Sequence, residues 1–164
     1  MKKPLLTIIL LFAFPAFAAL DVKDIALGAN ERDIKLKFPS AHCKALEWQS
    51  KAADRRCDDS RIVFGGVEVQ VTFYLKKDAL EAIDVRFDTK ELDRFVTFLK
   101  ARYGAPQSEN KDAHERKGKK ARQVYKALWE IGKERAVLTA QLEKRRASML
   151  VSRGNFDEEI YRVR

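Results

Sequence analysis

Residues 67–75 alternate strictly between apolar and polar side chains, and this pattern constrains the fold more than any other in the chain. The odd-numbered positions are Val, Val, Val, Phe and Leu, whereas the even-numbered positions are Glu, Gln, Thr and Tyr. Successive side chains of a strand point to opposite faces, so the pattern predicts a strand with one buried face and one wetter face. Parallel sheets are usually buried on both faces, and the alternation therefore favours an antiparallel sheet.

Further segments predict five more strands of the same kind. Residues 61–64 are joined to 67–75 through Gly65 and Gly66, and paired glycines are typical of a hairpin. Residues 80–87 again alternate between apolar and polar side chains. The second half of the chain supplies the remaining candidates, which are residues 123–131, 135–142 and 147–152.

Two amphipathic segments are predicted to be helices. The first follows Asn30, an N-cap residue whose capping-box partner is Asp33, and it ends before Pro39. The second ends at Gly104, a residue type common at helix C-termini, with Pro106 just beyond it. Its apolar residues recur at helical spacing and form one stripe that should pack on the sheet: Leu92, Phe95, Val96, Leu99 and Tyr103.

The two halves of the chain share one order of elements. Each has a helix, a stop at Phe-Pro or Tyr-Gly, an irregular loop and three strands, and Phe38 and Tyr103 lie 65 positions apart. A half of this length would be marginal alone, so the halves should share one core. We therefore predict an α+β fold in which two α-βββ half-repeats, about 25–87 and 88–152, form one antiparallel six-stranded sheet with both helices on one face. For the C-terminal tail, residues 153–164, strand, short helix and coil all remain open.

The first 18 residues have the features of a secretory signal peptide. Two lysines precede an apolar run over 4–14, and residues 16–18 supply the small-x-small cleavage pattern. The alternative, an N-terminal membrane anchor, would be short and interrupted by Pro15. We expect cleavage after Ala18, which leaves a single α+β domain over 19–164 that is soluble and either periplasmic or secreted.

Export would place the two cysteines, Cys43 and Cys57, in an oxidising compartment. A structural disulfide between them is the favoured interpretation. The alternatives are a Cys/His nucleophile or a metal pair, because His42 precedes Cys43 and the chain has one other histidine, His114. These residues lack the paired short spacings of zinc sites, and no metal site is predicted.

The sequence lacks the motifs that catalytic chemistry usually requires. It has no Gly-x-Ser-x-Gly elbow and no Gly-rich phosphate loop before a helix. Asp58 and Asp59 could serve as paired acids, but carboxylates in a polar loop are generally solvated turn residues. We therefore expect no enzymatic activity and no cofactor. An active site assembled from residues distant in sequence stays open as an alternative.

A basic run is the main functional lead. The net charge is +9, and the densest cluster of cations lies within residues 107–122, a stretch without large apolar side chains that we predict to be a mobile loop. Either the run keeps this loop solvated, or it binds an acidic partner outside the cytoplasmic membrane. The candidates are lipid headgroups, lipopolysaccharide phosphates, cell-wall polymers and acidic proteins. Nucleic acid is not an expected partner, because the run lacks the interleaved aromatic residues that stack on bases. An exported protein would also be separated from the nucleic acid of the cytoplasm. The candidate binding residues are Arg116, Lys117, Lys119, Lys120 and Arg122, and a second cluster at 144–146 falls in a predicted hairpin turn.

Two segments give the chain a resemblance to known exported proteins. Residues 25–39, with the pattern Ile-x-Leu-Gly-x-x-x-x-Asp-Ile-x-x-x-Phe-Pro, resemble the helix opening in the small lipoprotein of the outer-membrane barrel-assembly machine. Residues 95–106, which end in Arg-Tyr-Gly-Ala-Pro, are similar to the corresponding helix ending in exported proteins of this type. Related domains resemble the β-lactamase inhibitor protein, which consists of helix-plus-sheet repeats. The resemblance implies an exported binding module without chemistry of its own.

The functional hypothesis is therefore a non-catalytic protein-binding module of the cell envelope, with an envelope protein as its partner. The surface that contacts the partner would be either the exposed face of the sheet or the loop 107–122, and the sequence does not decide between them. The alternative is an envelope-surface protein that binds anionic lipid or lipopolysaccharide through its basic loop. Neither hypothesis involves nucleic acid or a small-molecule cofactor.

Overall fold

The computed structural model describes residues 19–116 and 119–161, and it describes the side chains of these residues except at 114–116 and 119–122. The predicted signal peptide, residues 1–18, lies outside the described residues, and so does Lys117. Among the helices of the described ranges, none combines the length and the apolar character needed to cross a membrane.

The strands belong to two antiparallel sheets. A small sheet pairs β1 (Asp21–Val22) with β2 (Ile25–Ala26). The other described strands are β3 (His42–Ala45), β4 (Arg55–Phe64), β5 (Val67–Lys76), β6 (Ala79–Phe87), β7 (Ser108–Arg116), β8 (Lys119–Ile131), β9 (Glu134–Gln141) and β10 (Arg146–Arg153). They form one large sheet of eight strands in the order β3-β4-β5-β6-β10-β9-β8-β7.

Three helices are described, namely α1 (Glu31–Lys37), α2 (Leu92–Tyr103) and α3 (Phe156–Glu159). The predicted capping box begins α1, because the Asn30 side chain accepts a 2.9 Å hydrogen bond from the Asp33 N–H and the Asp33 carboxylate accepts one from the Asn30 N–H. A 3-10 turn, Thr89–Glu91, leads into α2, and Gly104 ends it. Both predicted helices are therefore present.

The strand order of the large sheet is mirrored about its centre. The helix α1 precedes β3–β6 and α2 precedes β7–β10, so the same succession of a helix and four strands occurs twice. The two sets meet where β6 pairs with β10. The predicted mixed fold with a large antiparallel sheet is confirmed. The predicted count of six strands is wrong, because the sheet has eight.

The two strands that sequence reasoning missed lie at the edges of the sheet. The strand β3 falls in a segment that we predicted to be a loop, and β7 with the start of β8 replaces the predicted mobile loop 107–122. Residues 108–113 are all exposed and include no apolar residue larger than alanine. Such a strand has no apolar face to reveal it, and its pairing with β8 determines its conformation.

One face of the sheet is covered by α1 and α2 and forms the main core. The odd-numbered residues 67–75 of β5 are buried there, as the alternation predicts. Ile34 and Phe38 reach this core from the first helix, and Phe95 reaches it from the second. The hairpin before β5 also packs tightly, because a Cβ atom at Gly65, whose φ is +62°, would lie 2.4 Å from a ring carbon of Phe98. This turn therefore requires glycine.

Cys43 on β3 and Cys57 on β4 lie directly opposite each other and form a disulfide. The predicted pairing is confirmed. The carboxylate of Glu31 lies within 4.8 Å of both sulfur atoms. Because the two sulfurs are bonded to each other, neither is a thiolate that could ligate a metal or attack a substrate.

The described part of the C-terminal tail contains the short helix α3, which packs on the second face of the sheet. We call residues 156–161 the C-terminal cap. Phe156 and Ile160 are buried, and the Phe156 ring lies 5.5 Å from the ring of Tyr74 on β5. The indole nitrogen of Trp48 donates a 2.8 Å hydrogen bond to the Ile160 carbonyl. Of the conformations that the sequence left open for this tail, the described residues adopt a short helix, Phe156–Glu159, followed by a turn at 160–161.

Candidate functional site

We call the sheet face that points away from α1 and α2 the open face. The C-terminal cap covers one end of it, where Tyr74, Ala82 and Leu150 form a second apolar cluster with Phe156 and Ile160. The other end is uncovered and forms a cleft of about 1260 Å³. This cleft extends across five neighbouring strands, from β4 to β9, and so crosses the junction of the two mirrored halves.

The floor of the cleft is one continuous row of polar side chains. Gln70 pairs with Arg86, Arg86 with Ser148, and Ser148 with Thr139 in the register of the sheet. Paired residues of antiparallel strands project on the same face, so these side chains point side by side into the cleft. Gln141 also lines it, in the next row along β9. The floor therefore offers amide and hydroxyl groups that can both donate and accept hydrogen bonds.

The lining of the cleft, floor and rim together, carries more cations than carboxylates. Six basic residues from four separate parts of the chain line the site: Arg61, Arg86, Lys90, Lys144, Arg145 and Arg146. The acidic residues in the lining are Glu68, Asp88 and Glu91. The lining therefore has three more formal positive charges than negative ones at neutral pH.

Two irregularities of the backbone bring basic residues to this rim. The pairing of β4 with β5 shifts between Asp59 and Ile62, and this bulge leaves Arg61 outside the ladder with φ of +61°. The connection from β9 to β10 is a 3-10 turn, Leu142–Lys144, followed by Arg145 with φ of +54°. The basic cluster predicted in a hairpin turn at 144–146 therefore lies at the edge of the cleft.

Only part of the basic charge is neutralised by neighbouring carboxylates. Arg145 donates a 2.8 Å hydrogen bond to Asp88, and Arg86 lies 3.2 Å from the Asp84 carboxylate. The Lys90 backbone N–H and then Arg145 lower the pKa of Asp88. Across the described ranges, no ion pair is formed by four of the rim cations, namely Arg61, Lys90, Lys144 and Arg146.

A hydrogen-bonded row separates the cleft from the capped end of the open face. Arg86 donates to the Thr72 hydroxyl at 2.9 Å, and that hydroxyl donates to Asp58 at 2.8 Å. Burial raises the pKa of Asp84 in the same row, and Arg86 offsets only part of that effect. Burial also raises the pKa of Tyr74, one row further on, to about 12. These partners fix the direction of the Arg86 side chain at the centre of the floor.

Four of the five predicted binding residues, Arg116, Lys119, Lys120 and Arg122, lie on the strands β7 and β8. Their backbone pairs Arg116 with Lys119 and His114 with Arg122, and Lys120 lies on β8 between those two pairs. The side chains of these predicted residues lie outside the described part of the structure, as does all of Lys117. The backbone pairing thus brings Arg116 next to Lys119, while binding by the side chains of the run stays a prediction from the sequence.

Sequence reasoning missed most of the cleft. Gln70 and Arg86 were assigned to the wetter faces of their strands, but nothing in their local sequence pairs them with Ser148 and Thr139. Arg61 reaches the rim only because of the β-bulge. The basic cluster at 144–146 was the part of the cleft lining that the sequence did indicate, because it predicts a charged turn.

No protein family, curated protein or solved structure matches this chain in comparisons with known proteins. The resemblance to the assembly lipoprotein and to the inhibitor protein therefore stays a prediction from the sequence.

Proposed function

We propose that this protein is an exported, non-catalytic protein-binding module of the cell envelope, built from two half-repeats, that contacts its partner through the cleft on the open face. The observation that carries the proposal is the contrast between the two faces of the sheet. The helices α1 and α2 pack on one face of the sheet and form the main core with it. On the opposite face, the cleft leaves polar side chains of five strands open.

The shape and lining of the cleft fit a macromolecular partner better than a small ligand. Pockets for small molecules are generally concave, mostly apolar and enclosing, with few polar groups. Here the lining is dominated by charged, amide and hydroxyl side chains on a broad surface. Protein interfaces of ordinary size bury roughly 800 Å² on each partner, and an open sheet face can supply such an area.

The disulfide between Cys43 and Cys57 supports the exported setting, because such bonds persist in oxidising compartments. Together with the signal-peptide pattern of residues 1–18, it favours a periplasmic or secreted location. The envelope would then contain the partner protein.

Site-specific crosslinking in exporting bacterial cells tests this proposal. A photoreactive amino acid replaces Gln70 or Ser148 on the cleft floor, and the matched control carries it at Lys133, an exposed turn residue at the opposite end of β9. We expect one abundant adduct of constant mass from both cleft positions and none from Lys133. Equal adducts from all three positions, or none from any, would contradict the proposal.

A second candidate function is binding of anionic lipid or lipopolysaccharide through the basic run. The observation that favours it is the extent of the β7–β8 hairpin. The described pairing of β8 with β9 begins at Val124, whereas Lys119, Arg122 and Gln123 pair with β7, so the hairpin of β7 and β8 continues beyond the end of β9. Such a projection can bring the basic run to a membrane surface.

Vesicle binding tests this second candidate. The variant replaces Arg116, Lys117, Lys119 and Lys120 by Gln, and its binding to anionic vesicles is compared with that of the unchanged protein over a range of salt concentrations. We expect weaker binding and a flatter salt dependence in the variant, since screening acts on the charges it lacks. The same salt profile in both proteins would exclude the candidate.

A further inference from the structure

We infer that the cleft binds an extended, acidic polypeptide segment of about six residues, presented by the protein partner. This inference rests on the proposed function and adds the chemistry of the segment that the same site recognises.

The charge of the site selects an acidic ligand. Arg61, Lys90, Lys144 and Arg146 line the cleft and, within the described residues, have no carboxylate partner of their own. An acidic ligand would supply the missing counter-charges, whereas a basic one would meet like charges around the rim. Such complementarity governs partner choice and association rate more than total affinity.

The arrangement of the cations fits several carboxylates in a line and not a single anion. Arg61 comes from the bulge in β4, Lys90 from the turn before α2, and the cluster 144–146 from the connection between β9 and β10. These elements lie around a cleft that crosses five strands. A lone phosphate or carboxylate could contact only one part of this rim.

The floor suits a peptide backbone. Gln70, Ser148 and Thr139 lie side by side in one cross-strand row, with Arg86 between the first two. Their amide and hydroxyl groups can donate to carbonyls and accept from N–H groups of an extended chain. A lipid headgroup layer offers no such regular series of donors and acceptors, and a flat membrane surface cannot enter a cleft.

The size of the cleft sets the length of the segment. Five strands are separated by four spacings of about 4.8 Å, which gives a span of about 19 Å. An extended chain advances by about 3.3 Å per residue, so about six residues cross the cleft. Segments much shorter than this would leave part of the rim without counter-charges.

Fluorescence anisotropy with labelled hexaglutamate tests the inference on the full exported chain. The cleft variant replaces Lys90, Lys144 and Arg146 by Gln. The matched control variant replaces Arg32, Lys51 and Lys133 by Gln, which removes the same charge from exposed positions that do not line the cleft. Hexaglutamine, triglutamate, inorganic phosphate and phosphatidylglycerol vesicles serve as comparison ligands.

We expect hexaglutamate to bind the unchanged protein, with a dissociation constant about tenfold higher in the cleft variant and within about twofold of the original in the control variant. Triglutamate and hexaglutamine should bind at least fivefold more weakly, and added salt should weaken hexaglutamate binding. Equal loss in the two variants, equal binding of hexaglutamine, or binding only to phosphate or vesicles would overturn the inference.

The crosslinking experiment separates this inference from the proposed function. If Gln70 crosslinks one partner while hexaglutamate fails to bind the cleft, the acidic segment is wrong and the protein-binding module stands. If hexaglutamate binds as expected while neither cleft position crosslinks a partner in cells, the proposed function is wrong and the peptide-binding chemistry stands.

Discussion

The two ends of the open face differ in whether other parts of the chain cover them. At one end the apolar side chains of Tyr74, Ala82 and Leu150 are covered by the C-terminal cap. At the other end Gln70 and Arg86 remain open in a cleft with excess positive charge. The chain buries the part of the face that would bind other proteins indiscriminately and exposes the part whose charges and hydrogen-bonding groups can select a partner.

Removing the disulfide should affect the capped end most. Its cysteines lie 14 positions apart and enclose Trp48, whose indole nitrogen holds the C-terminal cap through the Ile160 carbonyl. Closing a loop of this size stabilises a fold by about 3 kcal/mol in the chain-entropy model. We expect the Cys43→Ser/Cys57→Ser variant to lose about that much unfolding free energy in urea titration.

Reduced, unchanged protein provides the control for that experiment, and it should unfold at the same urea concentration as the double variant. The hexaglutamate affinity of the double variant should stay unchanged, because neither cysteine lines the cleft. A loss of affinity equal to that of the cleft variant would show that the two ends are not independent.

Removing the anchor of the C-terminal cap should have the next largest effect. Phe156 is 5% exposed and packs against Tyr74. Burial of a phenylalanine side chain contributes about 2 kcal/mol, so Phe156→Ala should lower the unfolding free energy by about that amount and increase the fluorescence of a hydrophobic dye. Tyr161→Ala is the matched control, since Tyr161 is 71% exposed. Equal destabilisation by the two substitutions would contradict a cap anchored through Phe156.

Substitution of Asp84, in the hydrogen-bonded row between the two ends of the open face, should have a smaller and pH-dependent effect on the unfolding free energy. Burial raises the pKa of Asp84 in the folded protein above its ordinary value of 3.8. The folded state therefore holds this proton more tightly than the unfolded state, and ionisation of Asp84 destabilises the fold as the pH rises through the raised pKa. We expect Asp84→Asn to gain unfolding free energy relative to the unchanged protein between acidic and neutral pH.

Glu31→Gln is the control of opposite sign. The hydrogen bonds from Lys35 and Arg55 lower the pKa of Glu31 below 4.5, so its carboxylate stabilises the fold above that pH and the contribution disappears as the pH falls through the lowered pKa. The Gln variant should therefore lose stability relative to the unchanged protein at neutral pH and approach it in acid. Parallel pH profiles for the two variants would show that burial of Asp84 does not govern its titration.

Releasing a cation of the rim should have the smallest effect. Asp88 accepts from Arg145 at the edge of the cleft, and Asp88→Asn would remove this counter-charge while keeping a side-chain acceptor for the Lys90 N–H. We expect hexaglutamate to bind the variant about twofold more tightly, as for a screened surface pair. Glu134→Gln, which releases Arg153 outside the cleft lining, should leave the affinity unchanged.

The predictable part of this fold is the part that alternation and capping encode. The pattern of 67–75 identified the two faces of β5, and Asn30 with Asp33 identified the start of α1. The edge strand β7 could not be found in this way, because its side chains over 108–113 are exposed on both sides and none is a large apolar group. Its conformation comes from backbone pairing with β8, which leaves no mark on its own residues.

The candidate site was less predictable than the fold because it depends on long-range register. Arg86 and Ser148 become neighbours only when β6 pairs with β10 across 62 positions of sequence. Arg61 reaches the rim through a bulge that shifts the ladder by one residue, and no turn-forming residue in the local sequence predicts that bulge. By contrast, the disulfide could be predicted, since compartment and cysteine number leave one pairing.

The edges of the large sheet also determine how the protein behaves beside other copies of itself. An open ladder of backbone N–H and carbonyl groups can accept another strand, and repeated additions produce fibres. One edge strand of the sheet, β3, has only four residues and is joined to β4 by the disulfide. The other edge strand, β7, carries the exposed charged residues Glu109, Lys111 and Asp112. The short, disulfide-bonded strand at the first edge and the exposed charges at the second edge both disfavour the addition of a strand from another copy.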